Sequence, residues 1–182
     1  MLLILSAAHA AGLLGEDDVL SSAICAQTNA VRQAHDLLPL IHSTALSRAA
    51  QLHADQMVEH DFFSHTAPPS APWRTGQDRL VAAGVPLPRA PAENIATWYA
   101  MRYEPGDGYR VIDPGRFQYR SQGFTLQPHT PESFAAALVA YWMDSPGHRA
   151  NILSTAPSTL GCAATMYMQH RFPMYKAVQV FQ

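Results

Sequence analysis

Apolar residues recur at helical spacing in three long stretches of this sequence. The first stretch covers 16–35, where three acidic residues at its start suit the positive end of a helix. The second begins at Ser43 or Thr44, either of which can cap a helix, and ends near Glu59. The pattern therefore predicts two helices in the first third of the chain.

The third stretch gives the clearest helical pattern in the chain. Thr130 can cap it, Pro131 occupies the first turn, where its missing N–H is not needed, and apolar residues recur every four positions from Phe134. Ser145-Pro146 then repeats the order of a capping residue and a proline. We therefore expect one long helix from 131, followed directly by a short helix through Leu153.

Shorter segments rich in β-branched and aromatic residues predict the strands. One strand is expected over 93–98, and two more over 159–167 and 174–181. Residues 169–171 form a connection short enough to make the last two strands an antiparallel hairpin. A further short helix is expected over 78–83, ended by a glycine. Helices that flank a small sheet predict an α/β domain, of the α+β kind, built in layers.

The segment 99–129 shows no helical period. Within it, Pro105-Gly106-Asp107-Gly108 is a strong turn signal and predicts a β-hairpin. Loops of this length are uncommon inside a compact domain and are often functional. Its aromatic residues and arginines either stack on sugars and hold anionic groups, or belong to a packed structural flap. The aromatic residues are Tyr103, Tyr109, Phe117, Tyr119 and Phe124, and the arginines are Arg102, Arg110, Arg116 and Arg120.

The composition is that of one globular domain. The chain has 182 residues, of which 48% are hydrophobic and 14% charged, and its formal net charge is −2. A chain without a basic field is not expected to bind nucleic acid or an anionic membrane surface. No segment approaches the roughly 20 apolar residues of a transmembrane helix.

The first ten residues have features of an export signal. A short apolar run leads into Ala8-His9-Ala10, which has the small-x-small form of a cleavage site, although no basic residue precedes the run. We interpret 1–10 as the remnant of an export signal, with an ordinary frayed terminus as the alternative. In an exported protein, the pair Cys25 and Cys162 is expected to form a disulfide, the alternative being two buried free thiols.

Three residues could carry chemistry together: His65 just past the second helix, Glu93 at the start of a strand, and His148 in the first turn of a helix. Phe62 and Phe63 are expected to anchor the loop of His65 in the core, while Ser64 and His65 face outward. A helix N-terminus favours the neutral imidazole, which is the form that binds metals. Two imidazoles and a carboxylate would make a zinc-type site with an open position. The spacing matches no short metal motif, and each histidine alone is more typical of a surface or structural residue. His53, on the apolar face of its helix, is expected to be buried and structural.

A series of motifs resembles the CAP superfamily, also called SCP domains, which includes cysteine-rich secretory proteins and many bacterial exported proteins. The motifs occur in the family's order, and the run from Trp142 to Leu153 is the most specific for the bacterial branch. The other matching segments are Leu46 with Ala49-Ala50 and His53-Ala54, then 62–66, 76–80, 92–96, 160–161 and 178–181.

The resemblance implies a three-layer α-β-α sandwich with a small, mainly antiparallel central sheet, formed by a single domain over 16–182. It also makes 99–129 an insertion, because most bacterial relatives have a short connection there. The family's cleft holds two histidines and two acids; His65 and His148 match the histidines, and Glu93 matches the first acid. Ser145 stands where the second acid is expected. Ser64, Asn94 and Ser145 are expected to line the cleft.

Three functions are compatible with this reading. The first is a secreted, monomeric, non-enzymatic domain, extracellular or periplasmic, whose residues His65, Glu93 and His148 bind Zn²⁺ or another divalent metal and a ligand. That ligand would be a lipid or sterol, a cell-wall glycan or a protein. The second is a metal-dependent hydrolase with Glu93 as general base, although no zinc-protease motif is present. The third is a surface-acting lipid or cell-wall binding module with a vestigial cleft.

Overall fold

The computed structural model describes residues 7–85, 90–104 and 106–182, with side chains described from Val19 onward. The helices are α1 (Ala7–Ala34), α2 (Thr44–Glu59), α3 (Gly76–Ala82), α4 (Pro131–Asp144) and α5 (Pro146–Ile152). The strands are β1 (Ile41–His42), β2 (Ala92–Tyr99), β3 (Tyr109–Asp113), β4 (Arg116–Tyr119), β5 (Thr159–Gln169) and β6 (Phe172–Phe181).

The helix starts follow from local capping. Ser43 accepts a hydrogen bond from a backbone N–H of α2, and Thr130 does the same for α4, whose first residue is Pro131. Ser145 separates α4 from α5 in extended backbone, but its side chain makes no capping hydrogen bond, contrary to the predicted cap. Helix α1 begins at Ala7 rather than at 16. Residues 1–6 of the predicted export-signal remnant lie outside the described residues.

The main sheet has the strand order β1-β5-β6-β2. Strands β5 and β6 form the predicted antiparallel hairpin, β2 runs antiparallel to β6, and only the two-residue β1 is parallel to its neighbour β5. The hairpin turn places His170 and Arg171 at positive φ, 48° and 71°. The mainly antiparallel sheet confirms the predicted α/β class.

Helices cover both faces of this sheet. On one face, α1 and α4 pack around a core that contains Ile24, Leu138 and Trp142. On the other face, α2 and α3 pack on Ile95 and Val178. The three layers of the predicted sandwich are therefore present.

Two features fix helices against β5. A Cβ atom at Gly161 would lie 2.2 Å from the backbone of Leu46 and Ser47, so only glycine permits this approach of α2. On the opposite face Cys25 of α1 is bonded to Cys162, with 5.8 Å between their Cα atoms. The predicted disulfide is confirmed.

The insertion contains a separate two-stranded sheet, β3-β4. The hairpin turn lies at 114–115, where Gly115 has φ 77°, and not at the predicted 105–108. Residues 106–108 instead precede the hairpin, where Asp107 accepts hydrogen bonds from the backbone and hydroxyl of Ser121.

Most of the insertion's aromatic residues form a small core of their own, packed on the tip of the β5–β6 hairpin through Phe172. Tyr103, Tyr109, Phe117 and Tyr119 belong to this core, while Phe124 is 68% exposed. Those four rings are used in packing, as in the packed-flap alternative.

Among the described residues, no helix is both long and apolar enough to cross a membrane.

Candidate functional site

The loop after α2 carries His65 to the edge of the sheet. Phe62 packs against the core under α2, as predicted. Phe63 does not enter the core: its ring is 51% exposed and lies against the ammonium of Lys176, 4.9 Å from the ring centroid. The expectation that both phenylalanines are anchored in the core is therefore wrong for Phe63. Ser64 and His65 are exposed, as expected.

Glu93, the second residue of β2, lies beneath His65. Its side chain is only 8% exposed, and its Oε1 accepts a hydrogen bond from Nδ1 of His65 at 2.8 Å. A carboxylate can only accept, so Nδ1 carries the proton, and Nε2 of the neutral ring keeps its lone pair. Oε2 accepts a hydrogen bond from Arg79 at 2.9 Å. Both oxygens of Glu93 are therefore engaged.

Arg79 of α3 is the residue that the sequence reasoning missed. Its side chain is 1% exposed and is held by backbone carbonyl groups as well as by Glu93. It donates to the carbonyl of His65 at 3.1 Å, and to those of Trp73 and Arg74 at 3.4 and 3.3 Å. Arg79 thus fixes the loop of His65 and the carboxylate of Glu93 together. Its position within the family-like segment 76–80 was the available signal, but a lone arginine on a short helix usually faces solvent.

His53 is fully buried, as predicted, but it is also part of this cluster. Its Nε2 lies 3.6 Å from Oε1 of Glu93, and neither ring nitrogen makes a hydrogen bond of normal geometry with a described residue. Desolvation lowers the pKa of His53 to about 4, although the charge of Glu93 opposes the shift. The ring is therefore neutral at neutral pH.

The same contacts shift the pKa values of Glu93 and His65. Burial alone would raise the pKa of Glu93, but the hydrogen bond from His65 and the positive charges around it lower that pKa below its usual value. The hydrogen bond to Glu93 raises the pKa of His65, against a smaller effect of desolvation. Glu93 is thus held as a carboxylate.

His148 is brought to the same cleft by α5. Its Nδ1 is buried without a hydrogen-bond partner among the described residues. Burial, and then the nearby charge of His65, lower the pKa of His148. These contacts bring His65, Glu93 and His148 close together, and we call the three residues with Arg79 the histidine cleft, after the cleft that the family resemblance predicts.

A pair of asparagines joins the two sides of the histidine cleft. Asn94, fully buried on β2, donates to the carbonyl of His148 at 3.2 Å. Asn151 of α5 donates to the side-chain oxygen of Asn94 at 2.8 Å and to the carbonyl of Glu93 at 3.3 Å. Asn94 also donates to Gln179. Asn94 is therefore a buried structural link rather than an open ligand position.

The side chains of Ser64 and Ser145 make no hydrogen bond with the cluster. The hydroxyl of Ser64 accepts from the backbone of Thr66 at 3.2 Å, and the side chain of Ser145 makes no hydrogen bond with a described residue. Since Ser145 replaces the family's second acid, Glu93 is the single carboxylate that the described residues bring to the two histidines.

The donor groups of the histidine cleft suit a metal ion only in part. No group of three or more His, Cys, Asp or Glu residues is arranged to hold a metal within the described part of the chain. Both oxygens of Glu93 already accept a hydrogen bond, and the guanidinium of Arg79 at 2.9 Å would repel a cation there. Two imidazoles remain: Nε2 of His65, oriented through its other nitrogen by a carboxylate, and His148 with its unpartnered nitrogen. The nitrogen donors left for a metal are therefore those of two imidazoles, while Glu93 orients the ring of His65.

An apolar cavity lies on the other face of the sheet. Its volume is about 610 Å³, and it lies between α1, the start of α4 and the ends of β5 and β6. Residues from both ends of the insertion complete the wall. The lining includes Leu20, Met101, Pro128, Phe134, Met166 and Tyr175. Its size is that of a small-molecule site.

The three layers and the histidine cleft define an SCP-type α-β-α sandwich, and comparisons with known proteins agree. The family model described as cysteine-rich secretory protein family, CAP, matches residues 26–122 and 92–181. The chain therefore belongs to the CAP family.

Two solved structures share the fold. The first is an extracellular protein containing a SCP domain from Bacillus anthracis, with a TM-score of 0.58 and 22% identity over 91% of this chain. This chain spans only 40% of that protein. The second is an outer surface protein of Borrelia burgdorferi, with a TM-score of 0.54 and 13% identity, covering 87% of this chain and 88% of that one. No curated protein sequence is significantly similar to this chain.

Proposed function

We propose that this chain is an exported, non-enzymatic CAP domain whose histidine cleft binds a divalent metal, with Zn²⁺ the first choice, and presents it to a ligand. The observation that carries the proposal is the hydrogen bond of 2.8 Å from His65 to Glu93. A carboxylate on Nδ1 turns Nε2 toward solvent and raises its basicity, as metal-binding histidines require. A bound metal would supply a Lewis-acidic centre with open positions.

His148 supplies the second ligand in this proposal. Burial lowers its pKa, so that its ring is neutral and keeps a lone pair at neutral pH. The buried polar link Asn94–Asn151 holds the carbonyl of His148 against β2. The two histidines are thus carried by separate elements that are both fixed to the strand of Glu93.

The state of Glu93 argues against a hydrolase. A general base must have a free oxygen and a pKa that lets it take a proton near neutral pH. Both oxygens of Glu93 are occupied, by His65 and Arg79, and its pKa is lowered. A binding function therefore fits the site better than catalysis.

Export is supported by the disulfide. A fully buried Cys25–Cys162 bond is typical of proteins that fold in an oxidising compartment. The Bacillus anthracis and Borrelia burgdorferi proteins of the same fold are described as extracellular and outer-surface proteins. We therefore place this chain outside the cytoplasm.

Calorimetric titration with ZnCl₂ at neutral pH tests the metal site. We expect binding that His65→Ala and His148→Ala each abolish, and that Glu93→Gln weakens by about 10–100-fold, the usual effect of an outer-shell partner. His35→Ala is the matched control, because His35 is exposed and far along the chain from the cleft. Zinc binding that survives both cleft variants, or no binding at all, would overturn the proposal.

A second candidate function rests on the apolar cavity: binding of a lipid-like ligand. The half-buried Ala100 lines the cavity, so Ala100→Trp should fill it without changing the polar surface. Binding of a fluorescent fatty acid should be lost in Ala100→Trp and kept in Ala150→Trp, whose site is exposed on α5. Equal affinity of both variants for the fluorescent fatty acid would exclude the cavity as the lipid site.

A further inference from the structure

The insertion 99–129 carries a second cavity, which we call the insertion pocket. It has a volume of about 360 Å³ and is separate from the histidine cleft and from the apolar cavity. Its lining residues all belong to the insertion, and most are polar. The polar residues of the lining include Arg102, Glu104, Asp107, Tyr119, Gln122 and Gln127.

Hydrogen bonds within the insertion fix the shape of the pocket. The hydroxyl of Tyr119 accepts from the backbone N–H of Glu104 at 2.9 Å and donates to the carbonyl of Arg102 at 3.2 Å. The ring of Tyr119 stacks on Tyr103, 6.0 Å between centroids and 15° between planes. Since this ring belongs to the insertion's own aromatic core, the pocket is built on a packed support.

Several polar groups on the walls have no partner in the part of the chain that the structure describes. The guanidinium of Arg102, the carboxylate of Glu104 and the amide of Gln122 make no hydrogen bond or ion pair with a described residue. The amide of Gln127 donates only to the neighbouring carbonyl of Thr125, at 3.4 Å. Asp107, in contrast, is already used by Ser121. Donors and acceptors are thus available around one concave surface.

The charges of these groups select the class of ligand. One arginine stands against two carboxylates, so the pocket has no excess of positive charge with which to bind a phosphate or another anion. The polar lining also disfavours an apolar ligand. Guanidinium, carboxylate and amide groups each offer two coplanar hydrogen-bonding positions, which match neighbouring hydroxyl groups. We infer that the insertion pocket binds a neutral saccharide.

This inference goes beyond the proposed metal site and does not depend on it. In this inference the sugar contacts Arg102, Glu104, Gln122 and Gln127, and not the packed aromatic rings. Saturation-transfer difference NMR with glucose, galactose, mannose and N-acetylglucosamine, and with their disaccharides, tests it on the full chain. We expect transfer to at least one of these sugars, with or without zinc.

Three variants locate the site. Arg102→Gln and Glu104→Gln should each weaken the sugar affinity by about tenfold, the usual effect of removing one charge-assisted hydrogen bond. Arg116→Gln is the matched control, because Arg116 is exposed in the same insertion but pairs with Asp113 outside the pocket. Circular dichroism checks the fold of each variant. The inference is overturned if none of the sugars shows transfer, or if the Arg116 variant loses as much affinity as the other two.

Discussion

Arg79 and Glu93 form a buried ion pair at the base of the histidine cleft, with 2.9 Å between Nη2 and Oε2. The two side chains are 1% and 8% exposed. The same guanidinium holds the carbonyl of His65, and the same carboxylate holds its ring. The position of His65 therefore depends on a pair of charges that solvent hardly reaches.

Removing Arg79 should strongly lower the free energy of unfolding. Arg79→Met leaves the Glu93 carboxylate buried without its cationic partner, so we expect the free energy of unfolding to fall by about 3–5 kcal/mol in urea denaturation. Arg79→Met with Glu93→Gln should recover part of this loss, because the uncompensated charge is gone. The exposed pair Arg116–Asp113 is the control, and Arg116→Ala should change stability by less than about 1 kcal/mol. Similar losses in the two arginine variants would contradict a special role for Arg79.

His53 should make stability depend on pH. The pKa of His53 is about 4 in the folded protein against the ordinary histidine value of 6.5, so between these values the unfolded chain binds more protons. Stability must then fall as the pH falls from 6.5 to 4, by at most about 3.5 kcal/mol, at about 1.4 kcal/mol per pH unit.

The raised pKa of His65 acts in the opposite direction: its contribution is complete at low pH and is lost as the pH rises. The effect of His53 is therefore measured as the difference between the wild type and His53→Gln in urea denaturation at several pH values. A difference that stays constant between pH 4 and 6.5 would show that His53 does not titrate as its burial requires.

The disulfide should contribute strongly to stability. It joins residues 137 positions apart, so breaking it restores much conformational freedom to the unfolded chain. We expect Cys25→Ala with Cys162→Ala to lower the free energy of unfolding by about 4 kcal/mol in urea. Intact mass before and after reduction and alkylation checks that the wild type carries the bond. A loss below about 1 kcal/mol would mean that the core alone holds α1 on β5.

Replacing Asn151 should weaken zinc binding at the histidine cleft, although Asn151 is not one of the proposed ligands. Asn151→Ala removes the link between α5 and β2, so we expect zinc affinity to fall by about tenfold as His148 loses its fixed position. Asn29→Ala, which breaks part-buried hydrogen bonds to Leu40 far along the chain, is the control for stability alone. If zinc affinity falls equally in both variants, Asn151 has no positioning role.

Much of the fold could be predicted from local pattern. The caps at Ser43 and Thr130, the apolar spacing from Phe134 and the short connection before β6 determine elements by local chemistry, and each was found. The predicted position of the hairpin turn was wrong because the insertion contains two turn signals close together, one at 105–108 and one at 114–115. The turn at Gly115 allows a two-residue loop between β3 and β4, whereas Asp107 is used to bind Ser121.

The site was less predictable, because it depends on contacts between distant segments. The sequence pointed to His65, Glu93 and His148, which the structure brings close together. It did not predict that Arg79 would be buried against Glu93, or that His53 would lie 3.6 Å from the same carboxylate. Whether a carboxylate is free or paired is decided by the tertiary structure, and here that changes the role of Glu93.

Anomalous diffraction at the zinc edge, on crystals soaked in ZnCl₂, tests the central claim most directly. We expect one anomalous peak in the histidine cleft, about 2.0–2.1 Å from Nε2 of His65 and from a ring nitrogen of His148. The bonds from Glu93 to His65 and Arg79 should remain intact. A peak bound by Glu93 with Arg79 displaced, or no peak at either histidine, would contradict the account.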